Sequence, residues 1–227
     1  MGQYDLPGQP SVPLTLRRSA RALRISLRVS QLDGRVTLTL PKGVSESEAL
    51  KFAHEKADWI RSHLQNQVSS SVVALGSEIP IEGHLRHVVP AQGRRVVLDV
   101  DEVAVPEDAV ARRLERFLKE RARDRLLDAA DYYADVLGKS YTKVTLRDTR
   151  SRWGSCSSQG ALMFSWRLIL APPGVLQYVA AHEVAHLAEM NHSEKFWAQV
   201  ERIHGPYSGP RHWLGSQGST LHQYRFE

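Results

Sequence analysis

His182-Glu183-Val184-Ala185-His186-Leu187-Ala188-Glu189-Met190-Asn191-His192 is the stretch from which the rest of this 227-residue chain is best read. On an α-helix each residue turns about 100°, so His182 and His186 stand one above the other on one face, where two imidazoles can hold one metal ion. Glu183 lies beside the first histidine and is set to reach a water on that metal as general base. His192 follows six residues after His186, behind Asn191, a residue that tolerates the left-handed backbone that ends a helix. A chain turning back there brings His192 to the metal. Three histidines and a water complete the tetrahedral site usual for catalytic zinc, one ion per chain. Glu194 and Glu201, on the segment that follows, are the rival third ligands. The ligand spacing is that of H-E-x-x-H-x-x-G-x-x-H, but Glu189 stands where that pattern has glycine. Leu176, Ala180, Val184 and Leu187 recur at spacings of four, four and three, which predicts a helix with core on one side and a site on the other.

Upstream stands Arg147-Asp148-Thr149-Arg150-Ser151-Arg152-Trp153-Gly154-Ser155-Cys156-Ser157. With the run from His182 to Trp197, this segment resembles the YgjP-like zinc metallopeptidases, which are related to the SprT and WLM groups. The resemblance extends from the strand at Arg17 to Val29 as far as Leu214. It implies a zincin-like peptidase fold, with His182, His186 and His192 as zinc ligands, Glu183 as base and a polypeptide substrate.

Composition narrows the class. Hydrophobic residues make up 42% and charged residues 24% of the chain, as in an ordinary soluble protein. No apolar run approaches the roughly 20 residues of a membrane span. The N-terminus carries no signal-peptide pattern, and Cys156 is the single cysteine, so no internal disulfide forms; a cytoplasmic setting is the expectation. The net charge of +5 favours an acidic partner, DNA among them, without naming one. None of these features sets an oligomeric state.

Along the chain the patterns predict an α+β fold in two lobes: residues 12–106 a smaller β-rich lobe, residues 107–227 a zincin-like catalytic lobe. Residues 1–11, rich in Gly, Pro and Gln, are expected to be disordered. Leu23, Ile25, Leu27 and Val29 alternate with polar residues, as do Val36, Leu38 and Leu40, and Asp33-Gly34 between them predicts a hairpin turn. Arg24, Arg28 and Arg35 then share its open face. Ser45-Glu46-Ser47-Glu48 opens a helix running to Gln65. Short β-like runs between Val72 and Val105 predict a small antiparallel sheet. His84 and His87 lie three apart there, and Gly83 and the strand-like setting argue against a second, helical metal pair. Pro106-Glu107-Asp108 is expected to start a long helix that Gly138 stops. Its apolar stripe runs from Leu114 to Leu137, and its mixed charges mark a solvated face.

The remaining candidates surround the metal helix. Trp153, Gly154, Ser155 and Cys156 are assigned to an edge strand that pairs with extended substrate. Cys156 has no histidine assigned to it as a nucleophile's partner. Ser193 is expected to cap a helix whose aromatics, Phe196 and Trp197, pack behind His192. Tyr207, Arg211 and His212 come late enough to return over the cleft, and Tyr207 is assigned to the oxyanion. The leading reading is zinc-dependent peptide hydrolysis with Glu183 activating the water. Two others use the same residues: a zinc-dependent nucleotide pyrophosphatase, and a zinc-stabilised module that docks on DNA.

Overall fold

The computed structural model describes residues 2–30, 34–65 and 70–227. The chain divides into two units, Met1–Ser69 and Ser70–Glu227. In the first, strands β1 (Gly2–Leu6), β2 (Val12–Arg18), β3 (Ser26–Val29) and β4 (Val36–Leu40) form one sheet in the order β1-β2-β4-β3. The expected hairpin is the antiparallel β3–β4 pair, in which Leu27 faces Leu38. Of its expected turn, Asp33 lies outside the described residues. Leu23, expected to begin the inner face, is exposed ahead of β3. Arg28 and Arg17 lie on the open face, on the threonine side of β4.

Two expectations for this unit are corrected. The N-terminus is a strand rather than disordered: β1 pairs antiparallel with β2, Leu6 is fully buried, and Arg61 donates to the Pro7 carbonyl at 2.7 Å. The helix expected from Ser45 to Gln65 is two helices, α1 (Glu46–Glu55) and α2 (Ala57–Gln65). Ser45 caps α1 by accepting from the Glu48 N–H. Lys56, at φ −100° and ψ 11°, leaves the helical path, and the break sends Ala49 and Ala53 of α1 and Ile60 of α2 into the same core.

The second unit opens with β5 (Ser71–Val72) and a four-stranded sheet of β6 (Glu78–Ile81), β7 (His84–Pro90), β8 (Val97–Leu98) and β9 (Glu102–Val105), ordered β6-β7-β9-β8. The sheet is mixed rather than antiparallel. The chain runs out through β8 and returns beside β7, so β7 and β9 are parallel. Its Ile79, Ile81, Val88, Val103 and Val105 share one core with Leu114, Leu118 and Leu126 of α3 (Val110–Leu137). That common core is why the boundary falls at residues 69 and 70 and not near Pro106. Helix α3 begins later than expected, because Ala109 is left-handed at φ 63°; Gly138 ends it, also left-handed. On its outer face Lys119 pairs with Glu115 and Arg116 with Glu120, one turn apart, as a solvated face requires.

Next come β10 (Lys143–Arg147), β11 (Gly154–Cys156) and β12 (Ala161–Ser165), ordered β10-β12-β11, so that β11 is an edge. A buried 3₁₀ turn, Trp166–Leu170, leads to Pro173 at the first turn of α4 (Pro173–Ala185), where a missing N–H costs nothing. Helix α4 is covered nearly all round: Val175, Tyr178, Val179, Ala181 and Ala185 are buried along with Leu176, Ala180 and Val184. It is a central helix of the core with one polar opening, where a two-sided helix had been expected. Helices α5 (Glu194–His204) and α6 (Ser208–Gln217) follow. A second 3₁₀ turn (Gly218–His222) leads to β13 (Tyr224–Arg225), which pairs parallel with β5. The α+β class expected from the sequence is the one observed. No helix among the described residues is long and apolar enough to cross a membrane.

Candidate active site

Helix α4 ends sooner than Asn191. After Ala185 the Leu187 and Ala188 amides bond back to the Val184 and Ala185 carbonyls in tight turns. Asn191 does not take the left-handed backbone expected of it; its side chain instead accepts from the Ser193 N–H at 3.0 Å. The chain nevertheless brings His192 back beside the other two histidines. The ligand-capable atoms of His182, His186 and His192 all lie within 4.8 Å of one another. Neither Glu194 nor Glu201 joins that group, and His84 and His87 stand exposed on β7.

The donor set is prepared for a metal ion. A carbonyl can only accept, so His186 Nδ1, 3.0 Å from the Glu189 carbonyl, carries the proton and leaves Nε2 free to ligate. The Nε2 atoms of His182 and His192 are 3.1 Å apart, and His182 Nδ1 is buried with no hydrogen-bond partner. Burial, and then the neighbouring His186, His192 and Arg211, drive His182 down to about 3, and burial also lowers His186. Neutral imidazole is the form that ligates. Phe196, fully buried at the start of α5, stacks on His186 at 4.4 Å and meets His182 and His192 edge-on. Its ring is the wedge that holds the three histidines, as the sequence reading expected of the aromatics behind His192. Trp197, by contrast, is only half-buried and borders the site.

The Glu183 carboxyl lies against β11. A Cβ on Gly154 would lie 2.5 Å from Glu183 Cγ and 2.6 Å from Oε1, so only glycine fits there. The Cys156 N–H faces the carboxylate closely enough to favour its charged form, and Arg152 is a nearby positive charge. Burial outweighs both and pushes the Glu183 carboxyl up to about 8. The Trp-Gly-Ser-Cys segment is thus first of all a cradle for this carboxylate. Trp153, half-buried, stacks on His222 and touches Gly218. Ser155 sits in the middle of β11 opposite Met163. The Cys156 thiol is raised to about 11 by burial and by Glu183, which leaves it mostly protonated and a poor nucleophile.

On the other flank, Tyr207 stacks on Trp197 (5.1 Å) and on Tyr178 (6.2 Å), and Trp197 lies 5.6 Å from His182 and 5.9 Å from His192. Tyr207 and Arg211 are therefore beside the site. With His212 and Glu201 they line a groove of about 790 Å³. Tyr178 was not picked out from the sequence, although it stands four residues before His182 on α4, the spacing of facing neighbours. Arg152 was missed as well, and only the fold brings it to Glu183.

Residues 23–217 match the family described as YgjP-like, metallopeptidase domain. A solved structure is also similar, the crystal structure of the metallopeptidase zymogen of Pyrococcus abyssi abylysin. Identity is 22%, covering 40% of this chain and 95% of that chain, with a TM-score of 0.36, a likeness too slight to carry weight. No curated protein matches the sequence.

Proposed function

Because this chain belongs to the YgjP-like family of metallopeptidases, we propose that it hydrolyses peptide bonds at one zinc ion held by His182, His186 and His192, with Glu183 as general base. The observation that carries this reading is the convergence of three histidines beside a buried carboxylate that, among the described residues, has no cation in hydrogen-bond contact. Three nitrogen ligands suit zinc. When bound, zinc supplies Lewis acidity, lowering the pKa of water and polarising a carbonyl.

The chain's own residues do the rest. Glu183, poised by burial in the range where a carboxyl can both take and give a proton, removes one from the attacking water and returns it to the leaving amine. Gly154 and the Cys156 N–H hold that carboxyl in place. Tyr207 is the candidate donor to the developing oxyanion. Substrate is held by β-strand addition to β11. The Trp153 carbonyl and the Ser157 N–H bond to β12 at 2.8 and 2.9 Å, so by strand alternation Gly154 and Cys156 turn their main-chain groups toward the open edge. The Cys156 N–H faces Glu183, leaving the Gly154 groups and the Cys156 carbonyl for an extended peptide. Such pairing reads backbone and tolerates many side chains. The single half-buried cysteine accords with a reducing cytoplasmic setting.

The test is cleavage of a mixed peptide pool, followed by mass spectrometry, with protein stripped by a chelator and then restored with one equivalent of zinc. Activity that disappears and returns with zinc is the expected result. Release of phosphate or pyrophosphate from nucleoside triphosphates, with peptides untouched, would replace this reading by the pyrophosphatase one.

A further inference from the structure

The flank formed by α5 and α6 holds a charge that the reaction just described does not use. Arg211, in the first turn of α6, lies with its guanidinium 4.4 Å from the Trp197 ring centroid. Trp197 in turn borders His182 and His192. No carboxylate among the described residues pairs with Arg211. Glu201 lines the same groove without bonding to it. Arg211 is exposed in the groove, whereas elsewhere in this unit Arg167 is bidentate to Asp148, and Arg121 and Arg125 both reach Glu82.

An arginine held over an aromatic ring leaves its N–H groups available to take a carboxylate through two parallel hydrogen bonds. We propose that Arg211 is a specificity residue that binds a carboxylate of the peptide substrate, carried by an acidic side chain close to the scissile bond or by the peptide's own C-terminus. This rests on the peptidase reading and narrows its substrate class. Tyr207, stacked on the same tryptophan, gives the bound segment an aromatic wall. Glu201 in the groove opposes a polyphosphate, which would bring several negative charges beside it, more strongly than it opposes a single carboxylate.

The experiment uses the full-length, zinc-loaded protein and two matched peptide sets. One set exchanges Glu for Gln at each position near the cleaved bond; the other exchanges a free C-terminus for an amide. Wild type is expected to favour the carboxylate member of one set by at least about tenfold in kcat/KM, mostly through KM. Arg211→Gln should erase that ratio, and Arg211→Glu should turn it toward lysine-bearing peptides; a merely structural arginine would change both members alike. Selectivity in the Glu/Gln set alone assigns the carboxylate to a side chain, and selectivity in the acid/amide set alone assigns it to the terminus. The same pairs are titrated by calorimetry into zinc-loaded Glu183→Gln protein, with and without Arg211→Gln, where no turnover is needed. Cleavage with equal rates and equal affinities for both members overturns the proposal and leaves the peptidase reading intact. Carboxylate-selective, Arg211-dependent binding without cleavage by wild type would do the reverse.

Discussion

Two glutamates in the same unit, Glu82 half-buried and Glu183 buried, have opposite fates. Glu82, at a left-handed turn between β6 and β7, receives Arg121 at 3.1 and 2.5 Å and Arg125 at 2.7 Å. Burial would raise its pKa, but the two guanidiniums more than offset this and hold it below the usual carboxylate value. Glu183 is more deeply buried, has one main-chain N–H and a more distant arginine, and is pushed up to about 8. A buried carboxylate matched by cations is a clamp; one left nearly unmatched is chemistry held ready. The same contrast separates Arg167, bound to Asp148 and to the Leu221 and Tyr224 carbonyls, from Arg211, which among the described residues has a ring beneath it and no carboxylate partner.

The contrast breaks most visibly at Glu183. Glu183→Gln should lower kcat by about 10³-fold, in the range lost with a general base, while thermal midpoint and zinc content stay near wild type. Retained turnover would make Glu183 a second clamp. Gly154→Ala comes next. The added methyl must displace the Glu183 carboxyl, so kcat should fall by about 10²-fold with a much smaller change in stability. A variant that instead unfolds early with normal kcat would show that the glycine serves packing alone.

The clamps should answer in stability and not in rate. Burial raises the Asp148 pKa, yet hydrogen bonds and charge from Arg167 bring it below its ordinary value. A carboxylate lowered on folding contributes stability above the unfolded pKa and loses it as pH falls through the folded one. Asp148→Asn should therefore cost about 2 kcal/mol at pH 7, a figure held down by the half-exposed carboxylate, and the gap from wild type should close below about pH 4 in denaturant melts. Glu82→Gln is expected to cost about 1 kcal/mol in the same assay and to leave kcat/KM within about twofold.

How much of this was legible depends on distance along the chain. The histidine pair and Glu183 follow from helical spacing, and His192 from a short loop, so they could be read locally. The long α3 stripe and its Gly138 stop were equally plain. What could not be read needs partners far away. Gly154 and Glu183 are brought together by the packing of β11 on α4, and nothing in Trp-Gly-Ser-Cys names a carboxylate that follows in another element. The parallel β7–β9 pair escaped because successive short strands were read as hairpins. The β1 strand escaped because its Gly, Gln and Asp hide the Leu6 that β2 buries. Lys56 breaks a helix with neither glycine nor proline to announce it, since the break serves two layers of one core. Arg211 was seen only as one of three late polar residues; its isolation from carboxylates exists only in the fold.

The most direct test of the metal centre is zinc content measured by mass spectrometry on untagged protein, together with zinc affinity by competition with a chelating dye, for wild type, Glu183→Gln and His192→Ala. The three-histidine account predicts about one zinc per chain in wild type and in Glu183→Gln, and zinc lost or held at least about 10²-fold more weakly in His192→Ala. Equal, tight zinc in His192→Ala would contradict it, and so would wild-type protein that takes up no zinc.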